Sequence, residues 1–165
     1  GLRTENHVIH STAFLNTGLA KELNNNKLSR DIDIFHLHWL GDITMSIEEI
    51  GSLAKPIVWT LHDQWAFLGT EHYLMDPDGD FTIQENARFI RGYTKDNNFK
   101  RKVGRDIDRY TWNRKLRNWK NKMHIVCPSK WLAQCAKKSF DQQKYDCAQA
   151  GLTIEADGPC LAVRQ

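Results

Sequence analysis

Asp33-Ile34-Phe35-His36-Leu37-His38-Trp39-Leu40 and Lys55-Pro56-Ile57-Val58-Trp59-Thr60-Leu61-His62-Asp63-Gln64-Trp65 each carry an apolar, β-type run straight into histidine and aromatic residues. Buried strands of a parallel α/β sheet read as continuous apolar runs, and ligands bind in the crevice beyond the strands' carboxyl ends. Polar residues ending two such strands face one crevice together. Between the runs, Ser46-Ile47-Glu48-Glu49 has the spacing of a capping box, with Met45 and Ile50 placed as a hydrophobic staple. That predicts a helix from Ile47 to about Ala54. Strand, helix and strand within about thirty residues make a right-handed βαβ unit.

Outward from this unit the alternation continues. Asn16 to Leu23 starts a short helix that loses its character in Asn24-Asn25-Asn26, and a strand follows from about Ile32. From Gly69 to Phe99 the chain carries Pro77, Gly79, Gly92 and many Asp and Asn without periodicity. This reads as a long loop broken by a short helix, of a length suited to a lid. Lys100 to Lys120 reads as a helix, with Val103, Ile107 and Tyr110 on one stripe and Trp112, Leu116 and Trp119 on another. It should dock through Val103, Ile107, Leu116 and Trp119, leaving Arg101, Arg105, Arg109 and Lys120 exposed. A third strand, Met123–Cys127, leads through Pro128 to the helix cap Ser129. Trp131, Leu132, Cys135 and Ala136 then share a helical face, and Lys137 and Lys138 suit that helix's carboxyl end. After Phe140 the pattern fails, with at most a short strand around Thr153-Ile154-Glu155. The expected fold is a Rossmann-like, three-layer α/β domain with a mostly parallel sheet over residues 1–140, followed by an atypical tail, 141–165. Ile32–His38, Ile57–Leu61 and Met123–Cys127 should be adjacent or near-adjacent parallel strands, buried on both faces.

Composition bounds the function classes. A chain of 165 residues with 41% hydrophobic and 10% aromatic residues suits one domain and excludes disorder of the whole. No run is long and apolar enough to span a bilayer, and Gly1 to His7 lacks the charged-then-apolar pattern of a secretory signal, so a cytoplasmic location is expected. Cys127, Cys135, Cys147 and Cys160 form no CxxC pair and read as reduced thiols. The net charge of +3 is uneven: residues 88–122 hold thirteen Lys or Arg against three Asp, a local +10, which leaves −7 elsewhere. Such a segment is either a solvated helix face or an attractor of anionic lipid headgroups or a phosphorylated substrate. Nucleic acid is not an expected partner, because the aromatics there fall at core-like spacing rather than as a stacking platform.

The histidines carry the chemistry. Residues two apart on a strand share a face, so His36 and His38 point the same way, with His38 nearer the crevice. His36 reads as a satisfied core histidine. His62 beside Asp63 ends the next strand at the matching edge, and Gln64-Trp65-Ala66-Phe67-Leu68-Gly69 follows. Polar donors beside aromatic platforms suit sugars, whose hydroxyls need hydrogen bonds and whose C–H faces pack on rings. A rival reading joins His36, His38, His62, Asp63 and His72 into a metal-dependent hydrolase centre. Against it, no carboxylate follows His38 at close range and the chain is short for a β/α barrel. No metal is assigned. Asp76-Pro77-Asp78-Gly79-Asp80 places Phe81 and Ala87 where a calcium loop needs glycine and glutamate, and reads as an acidic turn.

Together, DIDIFHLHWL, KPIVWTLHDQWAFLG from Lys55 to Gly69, His72-Tyr73 and IVCPSKWLAQCA from Ile125 to Ala136 resemble the amino-terminal half of a family-4 retaining glycosyltransferase, of the colanic-acid, bacterial surface-polysaccharide type. The resemblance spans roughly Thr17 to Ser139. It implies the GT-B architecture, two Rossmann-like domains facing across a cleft, with this chain as the acceptor-side one. The family transfers a sugar from a nucleotide-sugar donor, with no further cofactor, to a glycan or lipid-linked acceptor, so contact with the inner membrane at its periphery is implied. By the same resemblance His62 and the adjacent Asp63 match the catalytic loop, and His38 and Trp39 match the loop shaping the acceptor pocket. Trp65 and His72 join them as substrate-binding candidates. A neutral His62 would position a hydroxyl rather than act as nucleophile. The sequence departs from the family in four respects, one being that Asp141 to Gln165 does not resemble the expected continuation, a short strand leading to the interdomain linker. The family's first strand and glycine-rich loop, and its donor-binding carboxyl-terminal domain, are absent, and so is the cysteine cluster after the His-Tyr pair. These residues are therefore expected to be inactive alone. The alternatives are a stand-alone carbohydrate or lipid-phosphate binding module and the metal-dependent hydrolase.

Overall fold

The computed structural model describes residues 10–40, 44–73, 88–97, 104–120, 123–142 and 153–156. Its order is α1 (Leu19–Asn25), β1 (Phe35–Leu37), α2 (Ile47–Gly51), β2 (Ile57–Thr60), α3 (Arg88–Arg91), α4 (Ile107–Asn118), β3 (Met123–Cys127), α5 (Lys130–Gln142) and β4 (Thr153–Ala156), with 3-10 turns at Lys27–Arg30 and Trp65–Phe67. The sheet runs β1-β2-β3-β4 and every neighbouring pair is parallel. Phe35 lies opposite Ile57, and Ile57 opposite Met123. The three strands anticipated from apolar runs are thus adjacent in a mixed α/β fold; β3 has the expected bounds and β2 ends one residue early, while β1 forms only three of the seven residues expected from Ile32 to His38. β4 extends the sheet beyond β3, with Ile125 opposite Ile154.

The strands are not buried on both faces. Phe35, Leu37, Ile57, Trp59, Met123, Ile125 and Cys127 are buried, while the residues between them are half-buried or, for His36, exposed. His36 is therefore a surface residue and not a core histidine. The buried face is sealed from α2 and α4. Trp119, just past α4, sets its ring edge-on to Trp59 at 5.3 Å and donates its indole N–H to Ile47 O at 2.9 Å.

The capping box forms as read from the sequence. Ser46 Oγ accepts from Glu49 N at 3.2 Å, and the Glu49 carboxylate accepts from Ser46 N at 3.0 Å. The helix stops at Gly51 instead of reaching Ala54, because Ser52 turns back and donates both N–H and Oγ–H to Glu49 O. Gly51 is where α2 and α4 meet: a Cβ there would lie 2.8 Å from the Asn118 carbonyl carbon and nearer still to its oxygen.

α4 begins later than periodicity suggested, at Ile107, where the Asp106 side chain accepts from Arg109 N at 3.1 Å. Its docking face also differs. Trp112 and, beyond the helix, Trp119 are buried, but Ile107 is only half-buried and Tyr110 is 49% exposed. Asp108, Thr111, Arg114 and Lys115 are buried in their place. Arg114 pairs with Glu48 at 2.6 Å and donates to the carbonyls of Thr12 and Ala13, so charge is satisfied internally. Leu116 packs against the core from a half-buried position. Val103 and Arg101 lie outside the described residues, as do Cys147, Cys160, the Asp76–Asp80 turn and most of the expected lid.

α5 starts as expected, with Ser129 Oγ accepting from Leu132 N at 3.2 Å, and continues to Gln142, past Lys138. Leu132, Cys135, Ala136, Ser139 and Phe140 are its buried face. Cys127 and Cys135 are free, buried thiols, pushed up by burial to about 12 and about 11. Among the described residues no helix is long and apolar enough to cross a membrane.

Candidate functional site

β1 and β2 are parallel neighbours, so the residues after them leave the sheet at one edge. The two segments stay alongside each other beyond the ladder, paired at a constant offset of 24 residues. His36 Nε2 meets Thr60 Oγ1 at 2.9 Å, His38 Nδ1 meets His62 Nε2 at 3.0 Å, and Trp39 Nε1 donates to Asp63 Oδ2 at 3.0 Å. The Trp59 indole donates to His38 O at 3.1 Å and anchors the crossing point. His36 and His38 stack with ring centroids 4.4 Å apart, as residues sharing one face of a strand should. His36, His38 and His62 are exposed, and Trp39 is 58% exposed. The convergence of His38, Trp39, His62 and Asp63 at one sheet edge follows from the parallel topology.

The imidazole pair has a fixed hydrogen-bonding output. A neutral imidazole offers one donor and one acceptor. If His38 Nδ1–H donates to His62, then His62 Nδ1 carries a proton and His38 Nε2 a lone pair; if His62 donates, the roles reverse. In either arrangement the neutral pair presents one donor and one acceptor outward, next to the exposed Trp39 in sequence. Adding one proton converts the outer pair to two donors.

Beneath this exposed tier lies a buried polar chain. Asp63, 8% exposed, accepts from Trp65 N at 2.9 Å and from the Trp39 indole, and its Oδ2 meets His72 Nδ1 at 2.6 Å. His72 Nε2 meets Ser11 Oγ at 2.7 Å. An ionised Asp63 can only accept, so His72 carries a proton on Nδ1, and when the imidazole is neutral Ser11 donates to Nε2. Trp65 stacks on His72 with centroids 6.2 Å apart and 18° between planes, and donates its own indole N–H to Ser11 O. Two substrate-contact roles expected from the sequence need correction here. Trp65, 3% exposed, is a core ring and not a sugar platform, because the Trp65–Phe67 turn folds it inward. His72, 2% exposed, faces the interior and cannot touch a substrate in this arrangement. Asp63 has its oxygens filled by donors and orients its neighbours.

Charges support this chain from behind. The Lys115 ammonium donates to the carbonyls of Trp65, Leu68 and Gly69 at 2.5, 3.0 and 2.9 Å and sits 3.8 Å from the Trp65 ring centre. Thr70 donates to Asp108, and Tyr93 O–H accepts from Gly69 N at 2.7 Å. Glu71 is pushed up to about 7 by burial and by Asp108, against the pull of Lys115 and Arg88. No local sequence signal marks Ser11 or Lys115: Ser11 lies 61 residues from its imidazole partner, and Lys115 reads as one more cation of the basic segment. Of that segment's candidates, Arg105 and Lys120 are exposed, Arg109 is half-buried and Arg101 is outside the described residues. Among the described residues no three of His, Cys, Asp and Glu are grouped to hold a metal ion. Comparison with known proteins matches the chain to no family model, no curated protein and no solved structure.

Proposed function

We propose that the chain is the acceptor-side, Rossmann-like domain of a GT-B retaining glycosyltransferase, and that the His38–His62 edge with Trp39 receives the acceptor sugar. The observation that supports this is the hydrogen-bonded imidazole pair beside an exposed indole, at the carboxyl edge of a parallel sheet. A pyranose has a C–H face that packs on a ring and hydroxyls that both donate and accept. The neutral pair supplies both complements. In this reading the attacking group is the acceptor's hydroxyl, which His62 holds in place. The donor's diphosphate is held by a second domain, and no further cofactor is required. The basic residues Arg101, Arg105, Arg109 and Lys120 would meet a lipid-linked acceptor's phosphate or anionic headgroups of a bacterial inner membrane.

The hydrolase reading fits the geometry less well. Two imidazole nitrogens face each other, and Asp63 and His72 are bound inward to Trp39, Trp65 and Ser11. A stand-alone binding module would use the same groups, and transfer separates the two. The test is sugar transfer by the chain joined to a donor-side domain, across a panel of nucleotide sugars and glycan acceptors. Transfer with retention, reduced about a hundredfold in His62→Ala, is expected if the imidazole acts by positioning. Glycan binding without transfer would leave the binding module, and turnover unchanged in His62→Ala would remove His62 from the mechanism.

A further inference from the structure

We infer that Ser11, His72 and Asp63 form a buried positioning relay that holds the Trp39 indole at the crevice mouth, which makes Ser11 and His72 positioning residues of the acceptor site although neither reaches it. The inference rests on the acceptor-site reading above. Trp39 is 58% exposed, and the inner side of its indole lies against His72 with ring centroids 6.3 Å apart. The hydrogen bond that ties it to the fold is its indole N–H to Asp63 Oδ2 at 3.0 Å. That oxygen is shared with His72 Nδ1 at 2.6 Å, while Oδ1 is held by Trp65 N, so the carboxylate plane is fixed from two sides. His72 is fixed in turn, by Ser11 at Nε2 and by the stacked face of Trp65. Each link sets the proton position of the next. With a neutral imidazole Ser11 donates, His72 carries Nδ1–H, and Asp63 stays a pure acceptor for Trp39.

The same donor order is found in acyl-transfer triads, where the serine is a nucleophile. Here Ser11 and His72 are 5% and 2% exposed, Trp65 covers the imidazole, and the Ser11 amide and carbonyl are bonded to Thr70 and Trp65. An attacking geometry would need these contacts to open. A fixed platform needs them closed.

The experiment separates the two ends of the imidazole. Asparagine at 72 can reproduce the Nδ1–H donor toward Asp63, and glutamine reaches instead toward Ser11. The readout is water exchange of the Trp39 indole N–H by NMR, identified among the six tryptophans by its absence in Trp39→Phe. His72→Asn, which keeps the Asp63 contact but loses Ser11, should speed exchange several-fold, as Ser11→Ala does, and His72→Gln, which loses the charge-assisted bond to Asp63, should speed it by well over about tenfold. Equal exchange in the two variants would overturn the relay. Should either variant not fold, Ser11→Ala decides: exchange several-fold faster supports the relay, and unchanged exchange refutes it. These measurements need no sugar. A separate titration with maltotriose, cellotriose and laminaritriose tests the acceptor reading: binding weakened in His72→Gln supports a platform role, and the absence of wild-type binding to all three would overturn that role while leaving the exchange result to judge the relay itself.

Discussion

Lys115→Met removes the charge that ties the Trp65–Gly69 segment to α4, and the contacts allow its cost to be worked out. All three ammonium protons are used, on Trp65 O, Leu68 O and Gly69 O, and the residue is 1% exposed. Methionine keeps most of the stem volume but leaves three buried carbonyls without that donor, at about 1–3 kcal/mol each. The lost contact with the Trp65 ring adds about 1–2 kcal/mol. Opposing this, the ammonium itself is costly to bury, by several kcal/mol. Burial pulls its pKa well below the ordinary lysine value, against the upward pull of Glu71 and Asp63. The net expectation is destabilisation of about 2–4 kcal/mol. Urea unfolding should show a lower midpoint at unchanged m-value, and melting should fall by roughly 5–15 °C for a domain of this size. The pH dependence has a definite sign. The unfolded lysine holds its proton to higher pH than the folded one, so wild-type stability contributed by this group is present above about 10.4 and lost as pH falls through the folded value. In Lys115→Met that slope should vanish. A midpoint equal to or above wild type would refute the argument, because desolvation would then outweigh all three carbonyls.

Two carboxylates should pull the pH profile in opposite directions. Burial raises Glu49, but hydrogen bonds from Ser46 and Thr17 outweigh it and bring it down to about 2, so its stabilisation of about 3 kcal/mol is present above about 4.5 and lost as pH falls through about 2; Glu49→Gln should flatten acid unfolding in that window. Glu71, raised to about 7, contributes stability that is complete below about 4.5 and lost as pH rises through about 7, and Glu71→Gln should abolish that decline, as read by urea midpoints between pH 4 and 8. Gly51→Ala should cost about 1–3 kcal/mol, because the new methyl meets the Asn118 backbone rather than a side chain that can swing away, and a midpoint within error of wild type would show that α2 and α4 separate freely. Thr111 is fully buried and its Oγ1 has no hydrogen-bond partner among the described residues, so Thr111→Val should be neutral or stabilising by about 1 kcal/mol in the same assay.

The sequence carries its local rules openly and hides its long-range polar contacts. The capping box is four residues long and every partner is inside it, so Ser46 to Glu49 could be read directly. The three apolar runs could be read because a parallel strand's composition shows in the strand itself, and the shared edge of His38 and His62 followed from direction alone. Whether His36 is buried depends on how far helices from elsewhere cover that face, which no strand records. Trp39 and Trp65 both follow strand ends, yet Trp39 is a surface ring while Trp65, which opens a 3-10 turn, is a core ring. The basic segment misled most, since Arg114 and Lys115 look like their solvated neighbours until Glu48 and the Trp65–Gly69 carbonyls are placed against them. These hidden contacts share a target. Lys115 holds the carbonyls of the turn after His62, Asp63 holds that turn's first amide, and Ser11 reaches the same place through His72. Two chain segments distant in sequence, at Ser11 and Lys115, thus converge on one strand-end loop. A loop that bore His62 without them would move with its own torsions, and the proposed role of His62, positioning a hydroxyl, requires the fixed ring that this polar interior provides.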